Sequence, residues 1–249
     1  MTTSRDLSPD PSVTLTIMIA CKNEEANIVG TLDAVAAAMG QLDISYEVLV
    51  IDDGSTDRTS EVAKQYQSSH SDLPIQIHMN DRNRGLSRTY VDGAFLGCGE
   101  YYRQVNGDNV EPAETLVTIF KMIGRADMII PYYPHLPGKS RARLAVSALY
   151  TFLVNVLSGN SIHYYNGGAV HRRYNVLRWH PYSFGFGFQA DFITRLIQEG
   201  ATFLEVPVQG SHTNKGPGAS PFHIRNFVST AHTLFEIFRR RLNVVIFGD

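Results

Sequence analysis

Cysteine is nearly absent from this chain: Cys21 and Cys98 are the only two in 249 residues. Two thiols supply neither a disulfide framework nor a zinc-ligand spacing, so a reduced, cytoplasmic setting is the simplest expectation. No apolar run approaches the roughly 20 residues that a membrane-spanning helix needs. The opening stretch MTTSRDLSPDPS lacks the apolar segment of a signal peptide, and residues 1–12 are expected to form a loose polar tail. Neither sign of charge prevails. Against 22 Lys and Arg stand 24 Asp and Glu, a formal net charge of −2, which gives no electrostatic case for a nucleic-acid partner. Internal repeats are missing too. These absences leave a globular chain long enough to bury a sizeable core.

What is present is alternation. Strand-like runs at 13–20, 46–53, 74–80, 101–108 and 126–133 are separated by helical spacing at 24–42, 58–66, 85–99 and 111–124. Such alternation predicts a parallel sheet covered by helices on both faces. In sheets of this kind ligands bind beyond the carboxyl ends of the strands, and Asp52, Asp53 and Asp108 fall there. Adjacent carboxylates repel, so a ligand, a cation or a helix terminus must offset the pair at 52–53. One of the two could simply cap the helix near Thr56. After residue 133 the pattern loosens. We expect a basic loop (134–143), an apolar helix (144–159), a turn or short strand (164–173), a glycine- and aromatic-led helix (185–200), a strand (201–212), a flexible loop (213–222) and an amphipathic helix (224–242).

Four segments, IMIACKNEEANI, VLVIDDGSTDRT, NRGLSRTYVDGAFLGCGEYYRQVNGDNVEPAE and GFQADFITRLIQEGATFLEVPV, follow one another in an order that resembles the family 2 glycosyltransferases of the GT-A fold. Within them the chain looks most like the dolichol-phosphate and polyprenyl-phosphate mannosyl- and glucosyltransferases. The resemblance spans about residues 13–240. It implies an α/β, Rossmann-like, mostly parallel sheet sandwiched by helices, as a single domain over 13–249. Residues 13–133 would bind the nucleotide sugar and 134–249 would form the acceptor side. It also implies an inverting hexosyl transfer to a lipid phosphate, with Mg²⁺ or Mn²⁺ as cofactor. By the same resemblance Ala20, Asn23, Glu24, Asp52, Asp53, Gly85, Asn106 and Gly107 belong to the nucleotide-sugar pocket. Asp108, Asn106 and His212 are candidate metal ligands, and Asp108, Asp191 and Arg143 are candidate catalytic residues.

Several positions depart from the family pattern. The usual Asp-x-Asp is Asn106-Gly107-Asp108 here, and a neutral amide is a weaker ligand than a carboxylate. Val110 stands where the lipid-phosphate branch often has glutamine; Glu111 could substitute, or could belong to the following helix start. Tyr133 occupies an arginine position, whereas Arg143 and Ser147 keep the expected spacing, with Lys139 and Arg141 nearby. Cations there suit a diphosphate and an acceptor phosphate together. Asp191 matches an acid lining the acceptor side, which would act as general base on a hydroxyl acceptor; it could equally cap its helix. His212 opens a loop in which Lys215 replaces the usual arginine, and a loop histidine is often a bystander. Asn166, Gly167, Gly168 and His171 add a glycine turn that could let backbone approach a ligand.

Two rival functions stay open at this level: a family 2 enzyme acting on a sugar or small-molecule hydroxyl, and a nucleotide-sugar-binding protein impaired in catalysis at Asn106 and Val110. A nucleotidyltransferase is disfavoured, since ACKNEEAN is not a Gly-rich basic loop. Finally, Ile224, Phe227, Val228, Ala231, Leu234, Phe235 and Phe238 form one stripe ending in Arg239, Arg240 and Arg241. The stripe suits either a core-facing helix or one lying on the inner face of a membrane.

Overall fold

The computed structural model describes residues 9–10, 12–134, 140–178, 185, 187–209 and 224–248. Seven strands form one sheet: β1 (Leu15–Cys21), β2 (Tyr46–Asp52), β3 (Ile75–Met79), β4 (Tyr101–Asn106), β5 (Met128–Tyr132), β6 (Val170–Arg172) and β7 (Phe203–Pro207). Their order is β3-β2-β1-β4-β6-β5-β7. Every pairing is parallel except those of β6, which runs antiparallel to both β4 and β5. Among the described residues eight helices accompany them: α1 (Ile28–Met39), α2 (Thr59–Ser69), α3 (Leu86–Leu96), α4 (Ala113–Phe120), α5 (Arg141–Ser158), α6 (Arg173–Arg178), α7 (Phe188–Gln198) and α8 (Ile224–Phe247).

The two-residue period of β1 explains the layers. Leu15, Ile17 and Ile19 pack against Ile28, Leu32 and Val35 of α1, together with residues of α2 and α4. Met18 points to the other face, with Tyr90 of α3, Val154 of α5, Ile193 of α7 and Ile237 of α8. Alternate side chains of one strand thus feed two cores. Burying each such aliphatic side chain contributes about 1.5–3 kcal/mol.

The expected strands and helices are present, with shifted ends; the loop at 213–222 and most of the tail at 1–12 lie outside the described residues. Helix α1 starts at Ile28, so Glu24 and Glu25 lie before it and not in its first turn. Pro112 caps α4 from outside. Helix α5 begins three residues earlier than its apolar spacing suggests, because the Ser140 hydroxyl accepts the Arg143 amide at 3.3 Å. Arg141 and Arg143 therefore sit in a helical first turn, where a loop was expected. The glycine turn leads into β6, which sits between β4 and β5. Among the described residues no helix is long and apolar enough to cross a membrane.

Candidate active site

Four loops meet at the carboxyl ends of β1 to β4, and short polar side chains lace them together. Asn23, at φ +55°, accepts the Thr56 amide on Oδ1 at 2.8 Å and donates its own amide to Ser55 Oγ at 2.9 Å. The Glu24 amide donates to Thr59 Oγ1 at 2.8 Å. The loop after β1 is thereby fixed to the one after β2.

The paired aspartates have separate partners. Asp52 Oδ1 accepts the Ser55 amide at 2.8 Å, and Oδ2 accepts the Ser60 hydroxyl. Asp53 Oδ1 takes Asn80 Nδ2 and the Arg84 amide, each at 2.8 Å, and Oδ2 takes the Gly85 amide at 2.8 Å. Both residues are buried. The repulsion anticipated from sequence is offset by N–H and O–H donors of the protein itself, and Asp53 is the post on which the loop after β3 hangs. That loop crosses Gly54 so closely that a Cβ there would lie 2.6 Å from the Arg82 carbonyl carbon. Gly54 has φ +72°, so the position requires glycine for turn and clearance alike. Neither aspartate caps α2: its N-cap position is Arg58, without a side-chain cap bond, and just before it Asp57 Oδ1 accepts the Thr59 amide at 3.0 Å.

The loop after β4 carries the candidate metal residues. The Gly107 amide donates to Ala20 O at 2.9 Å, tying this loop to the end of β1. Asn106 is exposed, and its Oδ1 accepts Gln104 Nε2 at 2.7 Å. Asp108 is pushed up to about 6, first by burial and then by the nearby carboxylates of Glu24 and Glu111. Two predicted site residues from different loops, Glu24 and Asp108, are therefore close enough to feel one another.

Glu111 is committed to other partners through one of its oxygens. Its Oε1 accepts Nη2 of the fully buried Arg103 at 2.5 Å and the Tyr133 hydroxyl at 3.4 Å. Arg103 Nε in turn donates to Gly168 O at 2.9 Å, which gives the glycine turn a structural task. Tyr133 is held protonated by burial and by Glu111, and it meets Tyr164 edge-on at 5.9 Å. Burial pushes the Tyr164 hydroxyl up, and the positive charge of Arg143 works against that shift. Sequence reading missed Arg103. The signal was there: an arginine inside the buried strand YYRQVN requires an acid to accompany it.

Asp191 lies elsewhere in the bonding pattern. It is buried on α7, and its Oδ1 accepts Nη1 of Arg240 at 2.6 Å. Arg240 Nη2 also donates to Thr194 Oγ1 at 2.8 Å. The acid anchors α8. Arg241 donates to Ser158 O at the end of α5, and Arg239 pairs with Glu236 at 2.7 Å. Of the cluster at 239–241, Arg240 is turned to protein, Arg241 reaches α5 from an exposed position, and Arg239 stays exposed on its own helix. A cavity of about 330 Å³ beside Ser158, Gln198, Ile237, Arg240 and Arg241 belongs to this three-helix junction and is lined by no residue of the strand-end loops. His171 is fully buried and held neutral by burial, at about 3. His212 lies outside the described residues. Among the described residues, no cluster of three or more His, Cys, Asp or Glu side chains forms a ready metal cage.

Residues 16–178 match Glycosyl transferase family 2. The chain belongs to that family. Curated relatives include an undecaprenyl-phosphate 4-deoxy-4-formamido-L-arabinose transferase of Aeromonas hydrophila, 29% identical over 41% of this chain and 31% of that protein. A dolichyl-phosphate beta-glucosyltransferase of Dictyostelium discoideum is 25% identical over 49% of this chain and 37% of its own length. A dolichol-phosphate mannosyltransferase of Pyrococcus furiosus is 26% identical over 44% and 30%. The matches span about a third of these relatives. Among solved structures, glucosyl-3-phosphoglycerate synthase from Mycobacterium tuberculosis in complex with phosphoglyceric acid superposes with a TM-score of 0.68 at 17% identity, covering 91% of this chain and 80% of that one. S. aureus TarS in complex with UDP gives 0.60 at 17% identity, covering 93% and 71%. The fold of this family 2 glycosyltransferase is GT-A.

Proposed function

We propose that this glycosyltransferase moves a sugar, with inversion, from a nucleotide diphospho-sugar to a polyprenyl phosphate at a membrane surface. The observation that carries the donor side is the convergence of Asp108 with Glu24, beside loops braced by Asn23, Asp52 and Asp53. Two half-buried carboxylates, close enough for Glu24 to raise the proton affinity of Asp108, form a negative field fit for a cation. Asp108, with the Asn106 amide, would hold Mg²⁺ or Mn²⁺ in the mode that uses few protein ligands and completes the shell from substrate phosphates. Solved relatives hold Mn²⁺ with UDP. Such a cation supplies neutralisation of the departing diphosphate. Arg143, exposed in the first turn of α5, is available to hold an acceptor phosphate.

The Asp191–Arg240 pair bears on the acceptor. A hydroxyl acceptor needs a base, and using Asp191 would mean parting a buried ion pair. A phosphate acceptor is already an anion and needs none, which fits the names of the curated relatives. Apolar surface supports the membrane side: Leu149, Phe152 and Val156 of α5 and Phe235, Phe238 and Leu242 of α8 are exposed at helical spacing on two helices that pack together. A thermal-shift screen of UDP-, GDP- and dTDP-sugars with and without Mn²⁺ tests the donor reading. One donor should raise the melting temperature in wild type and fail to do so in Asp108→Ala. No response to any of them in wild type overturns it.

A further inference from the structure

Asp108 is useful only if its carboxylate points one way, and the chain fixes that direction through the next residue. The Asp108 side chain accepts a backbone N–H from Val110. This closes a tight turn whose middle residue, Asn109, must take a left-handed backbone. Asn109 has φ +54° and is, with Asn23, one of two non-glycine residues of positive φ among the described residues. Asparagine tolerates that conformation where most side chains do not.

Helix α1 holds the turn from behind. The Asn109 amide donates to Oγ1 of Thr31 at 3.0 Å, and Thr31 is buried. One residue earlier, a Cβ on Gly30 would lie 2.3 Å from Asn109 Nδ2 and 2.9 Å from its Cγ. The asparagine side chain therefore lies flat against the first turn of α1, where only glycine leaves room. The same helix is entered through Asn27, whose Nδ2 donates to Glu24 Oε2 at 2.7 Å. One rigid support thus carries Glu24 on its approach and Asp108 on its flank.

We propose that Asn109, seated on Gly30 and Thr31, is a positioning residue that aims Asp108, and that this clamp sets the turnover of the enzyme. The role in turnover rests on the donor reading above; the clamp itself does not. Gly30→Ala is the test, since it pushes the asparagine side chain away while leaving Asp108 and Asn109 in place. By amide hydrogen exchange on the protein without ligand, the amides of Asn109 and Val110 should exchange on the order of tenfold faster, with the strand amides of β1 and β4 unchanged. In sugar transfer, kcat should fall on the order of tenfold while the donor KM stays within about twofold, because aim is lost and contact is not. Both effects should vanish in an Asn109→Gly background, which keeps the backbone conformation and removes the side chain to be displaced. Should Gly30→Ala fold poorly, Asn109→Ala should reproduce the two losses and Asn109→Asp should restore them. Unchanged exchange at 109 and 110 overturns the clamp. So does a Gly30→Ala loss that persists undiminished in the Asn109→Gly background. If wild type transfers no sugar from any nucleotide donor, the functional reading falls, and the exchange measurement still decides the clamp.

Discussion

Across residues 13–133 the described large apolar side chains are almost all hidden, with Val29, Met79 and Leu86 left in solvent. On α5 and α8 alone, twelve such side chains are exposed, among them Phe152 at 60% and Phe235 at 59%. The polar groups run the other way. The first half is knitted by side-chain bonds between loops, three of them on Asp53, two to backbone amides and one to the Asn80 side chain. Of the second half's helices, α8 is pinned at a few points, chiefly Arg240 on Asp191 and Arg241 on Ser158. One half is finished as a folded surface. The other presents apolar faces that a lipid surface would complete. The contrast separates the braced part of the molecule from the part to which the proposed lipid contact is assigned.

Mutations can break that contrast, beginning with the pin. Asp191→Ala strands Arg240 without its charged partner and should cost about 3–5 kcal/mol by urea unfolding, with α8 amides losing exchange protection first. Replacing both partners by apolar residues should recover most of that loss.

In the first half, Asp53→Ala removes one carboxylate and orphans two donors, Asn80 Nδ2 and the Arg84 amide, while the Gly85 amide keeps Asn83 Oδ1, with an expected cost of about 2–3 kcal/mol. Calorimetric unfolding measures it. A cost below about 0.5 kcal/mol would mean that the loop does not hang on Asp53.

A smaller effect sharpens the picture of Asp108. Its folded value of about 6 lies above the ordinary 3.8, so between those values the folded chain holds a proton that the unfolded chain has released. The resulting stability is complete below the lower value and is lost as pH rises through the upper one. Asp108→Asn carries no charge at any pH. It should therefore stabilise the metal-free protein by on the order of 2 kcal/mol near neutral pH, and by less at about pH 5, while abolishing transfer. Melting curves at the two pH values check the sign.

The smallest effect on stability belongs to the apolar faces. Phe152→Ser with Phe235→Ser should leave stability within about 0.5 kcal/mol, since both side chains are already in water. The same pair should weaken sedimentation with polyprenyl-phosphate vesicles several-fold. Equal vesicle binding by wild type and variant would count against a lipid partner for this surface.

Much of the first half was legible because its signals are local. Apolar runs ending in Asp52 and Asn106, with a turn and a helix behind each, specify strands buried on both faces and loops at their carboxyl ends. The family likeness rests on those same segments. Other features depend on contacts far apart in sequence. A three-residue strand such as Val170–Arg172 has no period to detect, and its place between β4 and β5 follows from tertiary packing. The stripe on α8 carried both a core and a membrane reading. The structure turns Thr233 and Ile237 inward and leaves Val228, Phe235 and Phe238 in solvent. The core side is set by α7 and α5, elements whose positions the helix's own sequence does not encode. Arg239–Arg241 read as a lipid-facing cluster for the same reason, yet Arg240 and Arg241 reach back to protein.

The placement of β6 has a consequence for how the molecule comes apart. Its neighbours β4 and β5 both precede it in the chain by many residues, yet it lies between them. The later half cannot peel off as a separate module without drawing a strand from the middle of the sheet. Cutting the chain after α5 would leave β4 and β5 facing an open slot, each with an unpaired row of backbone donors and acceptors, and such edges recruit foreign strands. The chain is therefore expected to melt as one body, and exchanging its halves with those of a relative by simple splicing would break the sheet in its middle.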